Sequence, residues 1–362
     1  MLVFKLRYST PSRPFKSFLR TFTMSAKEYT EAWLAGPQST QFYTRTYLPP
    51  APTPAKAVLV AVHGFAEHVG RYTHFHPLVA KKGVAVFAFD QRGFGLTALD
   101  TEGKKSRGSS WGKTCWAHQM EDLNWAVNHA KETFKDTPIF LLGHSMGGGE
   151  ALGFATQEDK SPHKATVNSL SGVIATSPLI TQTNPAPKLM KWIGGKASLL
   201  APYTLIPAAV KAEELSHDKD FNDAYLKDPL IKQSGTLKGL SDMLSNSEAL
   251  LRSSYRRWPK DLPLFIVHGT DDKVTSHRSS EAFHKTIDAV SKKLTLIEGG
   301  FHELQNEPDG VKERLVDEII QFVEGHVSSK SKQVPSASTE PQISAPAATE
   351  EASTPEVPKA NL

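Results

Sequence analysis

Cysteine is nearly absent. Cys115 is the only one in 362 residues, so no disulfide can form within the chain. Burial of apolar surface must therefore hold the fold, and a reducing compartment suits it. Cys115 itself reads as a packed thiol. No stretch approaches the roughly 18 to 20 consecutive apolar residues of a membrane span. The apolar run from Ala197 to Val210 is short and is broken by Pro202 and Pro207. Neither G-x-G-x-x-G nor G-K-S/T occurs, so Gly93 and Gly95 imply no nucleotide site. No His/Cys/acid cluster has zinc spacing. The body of the chain lacks a basic cluster with interleaved aromatics, which argues against a nucleic-acid partner. No cofactor and no metal are expected.

Acids are missing from the first 27 residues, where Lys5, Arg7, Arg13, Lys16, Arg20 and Lys27 all fall. The net charge of +4 is thus a property of the extension. The remainder carries about −2 by the same count. Phe15, Phe18, Leu19 and Phe22 recur at helical spacing between Pro14 and Met24. That basic amphipathic pattern fits a mitochondrial presequence or a membrane-surface anchor, or else translation begins at Met24. At the other end, residues 328–362 have no aromatics and are rich in Pro, Ala, Ser, Thr and Glu. Such a tail buries too little apolar surface to offset chain entropy and reads as disordered.

Between the two ends, residues 28–327 read as one large domain. Val58–Val62 and Val84–Phe89 are short, wholly apolar runs, as strands covered on both faces should be, and strands are also predicted over Phe42–Leu48, Ile139–Leu142, Ser171–Thr176, Leu264–Val267 and Leu294–Ile297. Helical patterns cover His118–Phe134 and Gly148–Gln157, and an amphipathic helix from Val311 closes the domain. This alternation predicts an α/β fold with a doubly wound, mostly parallel sheet. The rhythm breaks between about 178 and 258, which reads as a helical lid insertion over the site. Within it, Lys188, Lys191 and Lys196 precede an apolar stretch. A lid packed on its own domain would look the same as a surface that touches lipid.

The chemistry begins at IFLLGHSMGGGEALGFA. Gly143-His144-Ser145-Met146-Gly147 fits G-x-S-x-G, follows an apolar strand and opens a helix, as a nucleophile elbow requires. A serine hydroxyl needs a base, and in this fold the chain order is Ser, acid, His. In LFIVHGTDDKVTS both Asp271 and Asp272 qualify by position as the acid. In LIEGGFHELQNEPDG, His302 follows the last strand, where the base is needed. An oxyanion hole requires two backbone N–H donors. The amide of Met146 supplies one and that of Phe65, in the loop after VLVAVHG, the other. His63 reads as a structural anchor of that loop, and Asp90 and Gly93 as the turn after another strand.

HGFAEHVGRY, GHSMGG, SHDKDFNDAYLKDPL, HGTDDKV and GGFHELQNEPDG stand in an order and spacing that resemble the monoacylglycerol lipases. That group of α/β-hydrolase-fold enzymes is also described as serine aminopeptidase-like. The resemblance covers most of residues 30–326. It implies Ser145 as nucleophile, Asp272 as acid, His302 as base, and Phe65 and Met146 as oxyanion donors. It also implies that Tyr225 contacts the glycerol end of a substrate, with Glu67 and Arg71 near the same exit. The family often has a small residue where Phe65 stands, so a narrower pocket wall is expected there. The implied ligand is a monoacylglycerol or related lipid ester. Peripheral contact with a membrane or lipid droplet, through the lid or the N-terminal extension, is a further expectation. Location in the cytoplasm or on a lipid surface follows, with the mitochondrion as the alternative that the basic segment raises. An esterase, thioesterase or acyltransferase would share the triad, and a non-catalytic binding protein would share the scaffold.

Overall fold

The computed structural model describes residues 28–330. The basic segment 1–27 and the tail beyond 330 lie outside them, and so do the expectations placed on those segments. Ten strands are described: β1 (Thr30–Ala35), β2 (Gln41–Tyr47), β3 (Ala57–Val62), β4 (Val84–Phe89), β5 (Ile139–His144), β6 (Gly172–Thr176), β7 (Leu205–Pro207), β8 (Ser234–Thr236), β9 (Leu264–Gly269) and β10 (Lys292–Ile297). Eight of them form one sheet in the order β1-β2-β4-β3-β5-β6-β9-β10. The β1–β2 and β2–β4 pairs are antiparallel and every other pair is parallel.

Parallel strands covered on both faces need apolar residues at every position. β3, β4, β5 and β9 are buried throughout for that reason. Alternate residues divide between two core layers. Val58, Val60 and Val62 face helices α3 (Trp116–Thr133), α4 (Met146–Ala155) and α9 (His277–Thr286). Ala57, Leu59 and Ala61 face α1 (His76–Lys81) and α10 (Val311–Lys330). The predicted strands and the two long helices recur within about two residues. α10 continues to Lys330, three residues into the segment read as tail. β1 was not anticipated, because TEAWLA is half-exposed and has no apolar run.

The insertion after β6 supplies α6 (Lys188–Leu200), α7 (Lys219–Lys227), α8 (Leu237–Arg252) and the small β7–β8 ribbon. It forms a cap over the carboxyl ends of the parallel strands, where open α/β sheets place their sites. Two bonds tie the ribbon to the body: Trp111 Nε1 donates to the Ser234 carbonyl at 2.8 Å, and Thr236 Oγ1 to the Gly112 carbonyl at 2.6 Å. α8 packs on α4 beneath it, and Asp242 accepts from the Trp116 amide at 2.9 Å.

Candidate active site

β5 delivers Ser145 to the base of the cap. Its backbone turns sharply there, with φ 55° and ψ −119°, a region that side chains seldom occupy. The flanking glycines make the turn sterically feasible. A Cβ on Gly143 would lie 2.1 Å from the Gly147 carbonyl oxygen, and one on Gly147 would lie 2.4 Å from that of Val62. α4 begins at Met146, so its free N–H groups point at the serine.

The loops after β9 and β10 bring the partners. His302 Nε2 lies 2.9 Å from Ser145 Oγ, and His302 Nδ1 lies 2.8 Å from Asp272 Oδ2. Asp271, the other candidate acid, is exposed and its amide is bonded to the Gly300 carbonyl. Asp272 Oδ1 accepts from the amides of Val274 and Thr275 at 2.8 and 2.9 Å. Burial opposes ionisation of Asp272. The charge of His302 and the hydrogen bonds from His268 and His302 outweigh it and hold the carboxyl well below the usual carboxylate range.

Burial likewise works against a charged His302, but the Asp272 carboxylate beside it prevails and raises its pKa. A general base must be neutral, so activity falls as pH drops through that raised value. The acid limb of kcat/KM is therefore expected above the ordinary histidine value of about 6.5. A midpoint below about 6 in a pH–rate profile would contradict the geometry.

Phe65 follows His63-Gly64 in the loop after β3. His63 is buried, and its pKa is lowered to about 3 by that burial, so the ring is neutral. It donates from Nδ1 to the Gly64 carbonyl at 2.8 Å and accepts the Gln91 amide on Nε2 at 2.9 Å. The ring therefore fixes the loop and is remote from proton transfer. Among the described hydrogen bonds, no protein acceptor is paired with the amides of Phe65 or Met146. The Phe65 ring packs edge-on against Phe94 at 5.7 Å and forms part of the cavity wall. Asp90 accepts from the amides of Val69 and Leu96 at 2.8 and 2.6 Å, which is the turn-holding work its sequence suggested.

A cavity of about 770 Å³ opens above Ser145 and His302. Its size suits a ligand of lipid dimensions. Leu179, Met190, Ile206, Leu240, Met243 and Leu244 are among its apolar lining residues, Glu67, Tyr225 and Glu303 bring polar groups to it, and Lys191, Glu248 and Arg252 line it as well. Arg71 does not line this cavity. It lies one layer behind, with Nη2 2.7 and 2.6 Å from the two Glu303 oxygens and its guanidinium carbon 4.8 Å from the Tyr225 ring centre. Direct contact with a ligand, expected from the resemblance, is therefore replaced by support of Glu303 and Tyr225.

Sequence reasoning missed Glu303, which is buried beside the base. Its partner Arg71 lies 232 positions earlier, and no local pattern could signal that pair. Burial and the nearby Glu303 charge push Glu67 up to about 7, while Tyr72 Oη donates to it at 2.7 Å. Glu67, His144 and Glu303 lie close enough to share a cation. Arg71 already occupies both Glu303 oxygens, so this donor set does not fit one.

The chain is similar to known proteins in sequence and in fold. The family described as "Serine aminopeptidase, S33" matches residues 53–309. A putative monoglyceride lipase of Schizosaccharomyces pombe is 32% identical over 273 residues, covering 75% of this chain and 68% of its own. The monoglyceride lipase of Saccharomyces cerevisiae is 29% identical over 285 residues, covering 76% and 86%. A crystal structure of a soluble variant of that yeast enzyme, in complex with a substrate analogue, superposes with a TM-score of 0.70. It has 24% identity over 84% of this chain and 96% of its own.

Proposed function

Because the chain belongs to the serine aminopeptidase S33 family of α/β-hydrolases, we propose that it hydrolyses monoacylglycerols to glycerol and fatty acid. The observation that carries this reading is the Ser145–His302–Asp272 relay at the base of a cavity lined by apolar side chains together with Glu67, Tyr225 and Glu303. The similarity to monoglyceride lipases of two fungi supports the choice of substrate.

In this mechanism the Ser145 oxygen attacks the ester carbonyl while His302 Nε2 takes its proton. The amides of Met146 and Phe65 stabilise the oxyanion. The carbonyl–oxygen bond to glycerol breaks, and His302 returns the proton to the departing glycerol oxygen. Water then attacks the acyl-enzyme, again with His302 as base, and the fatty acid leaves. Glu67, Tyr225 and Glu303 line the cavity and would hydrogen-bond the glycerol hydroxyls. Its apolar lining suits the acyl chain. This polarity favours a glycerol ester over a wholly apolar one, although an esterase on another acyl group would use the same relay.

The substrate is expected to arrive from a lipid surface. Leu189, Met190, Trp192 and Ile193 on α6, with Leu199 and Leu200 at its end, are exposed apolar side chains on the cap. No described helix is long and apolar enough to cross a membrane. Contact from one side, by α6 lying at the interface, accounts for such a patch.

One experiment tests substrate and surface together. A fluorophosphonate should label Ser145, and vesicles carrying monoacylglycerol should slow the labelling. Leu189→Ser, on α6 but outside the cavity lining, should weaken protection by the vesicles but not by a dissolved short-chain monoacylglycerol. Labelling that no monoacylglycerol slows would rule out this substrate, and equal protection of both proteins would rule out the surface role of α6.

A further inference from the structure

A second histidine touches the triad acid, and the mechanism above does not use it. His268 lies near the end of β9 with its side chain fully buried. An imidazole so enclosed is costly unless its ring nitrogens are hydrogen-bonded. Both are. Nδ1 lies 2.8 Å from Ser280 Oγ on α9, and Nε2 lies 3.1 Å from Asp272 Oδ2 and 3.1 Å from the Thr275 carbonyl oxygen. A carboxylate and a carbonyl can only accept, so Nε2 carries a proton and donates.

We infer that His268 is a positioning residue for the hydrolytic reaction: its Nε2–H, oriented by Ser280, fixes the Asp272 oxygen that receives His302. The inference rests on Ser145, His302 and Asp272 acting as the triad. The oxygen concerned, Oδ2, lies 2.8 Å from His302 Nδ1 and 2.8 Å from Thr275 Oγ1. The Thr275 hydroxyl has a single proton and a second acceptor, the Ser177 carbonyl at 2.9 Å. His268 therefore supplies the N–H on Oδ2 whose direction the sheet itself sets.

Two effects follow. The Asp272 carboxylate, held on Oδ1 by two amides and on Oδ2 by His268, is kept from turning away from His302 Nδ1. In addition, a donor on Oδ2 draws off part of the charge that grips the His302 imidazolium, which eases release of its proton. Other ionisable groups bear on the pair. The His277 ring stands 6.4 Å from that of His268, the His144 ring 4.9 Å from that of His302, and Glu67 and Glu303 act on His302 from the cavity side.

The test uses full-length His268→Phe, which keeps ring volume and removes both nitrogens, with active sites counted by fluorophosphonate. Per counted site, kcat should fall about 10- to 100-fold with little change in KM. The acid limb of kcat/KM should move to higher pH. His268→Gln, whose amide can donate to the same oxygen, should recover most of the loss. A histidine that merely fills the core would lower the melting temperature and leave kcat per site and the acid limb in place. That result overturns the inference.

Should His268→Phe not accumulate as folded protein, Ser280→Ala carries the test, because it removes only the anchor of the ring. It should lose roughly several-fold in kcat with the same shift of the limb. Wild-type values for both would equally overturn the inference. Asp272→Asn is run beside them: wild-type activity in that variant would instead refute the triad on which the inference depends.

Discussion

Asp272→Asn is expected to lower kcat/KM by about 10⁴-fold, roughly 5 kcal/mol of transition-state stabilisation, with the protein still folded. The two amides on Oδ1 dictate why. Val274 and Thr275 both donate to that atom, so the carbonyl oxygen of an asparagine must stay there. Its NH₂ group is then turned toward His302 Nδ1, which can only respond by accepting. The imidazole proton moves to Nε2, the nitrogen that faces Ser145 Oγ at 2.9 Å, and that nitrogen can no longer take the serine proton. The loss should appear in kcat on any ester, and the acid limb attributed to His302 should disappear with it. A loss below about tenfold would mean that Asp272 does not set the tautomer.

Much of this site is legible in the sequence because its parts are local. G-x-S-x-G after an apolar strand is a continuous segment, and the sterics that select its glycines act across five residues, Gly143 to Gly147. Strand ends announced the acid and the base, since loops after buried strands are short and their polar residues few. Sequence position alone left Asp271 and Asp272 equivalent. What separates them is which side chain turns inward to meet the Val274 and Thr275 amides, a property of the folded loop.

The less legible features are those that join distant segments. Arg71 looked like a ligand-facing residue in HGFAEHVGRY, but Glu303 draws its guanidinium behind the cavity wall. His268, just past the strand predicted at Leu264–Val267, carries no signal of its own: it and Asp272 are four positions apart and touch only because the loop folds back. The cap was legible as a break in rhythm. Its exposed apolar face on α6 was ambiguous, because apolar residues at helical spacing do not say whether they meet protein or lipid. β1 escaped notice since an edge strand open to solvent need not be apolar.

Ser145→Ala carries the largest expected effect, a loss of kcat on the order of 10⁶-fold. Without its oxygen no acyl-enzyme can form, and neither His302 nor the oxyanion amides can substitute for a missing nucleophile. The serine hydroxyl makes its described hydrogen bond to His302, and the elbow around it is held by backbone bonds from the Ser145 amide to Thr176 and from the Gly149 and Leu179 amides to Ser145. The variant should therefore fold as the wild type does, with a melting temperature close to the wild-type value, because alanine keeps the Cβ and the backbone turn.

The most direct measurement is fatty-acid release from mono-, di- and triacylglycerols of one chain length by the wild-type protein and by Ser145→Ala side by side. The account predicts rapid release from the monoacylglycerol, slower release from the bulkier glycerides, and release at the buffer rate for every substrate in the variant. Release from di- or triacylglycerol that matches or exceeds that from the monoacylglycerol would contradict the substrate, and undiminished release by Ser145→Ala would contradict the nucleophile.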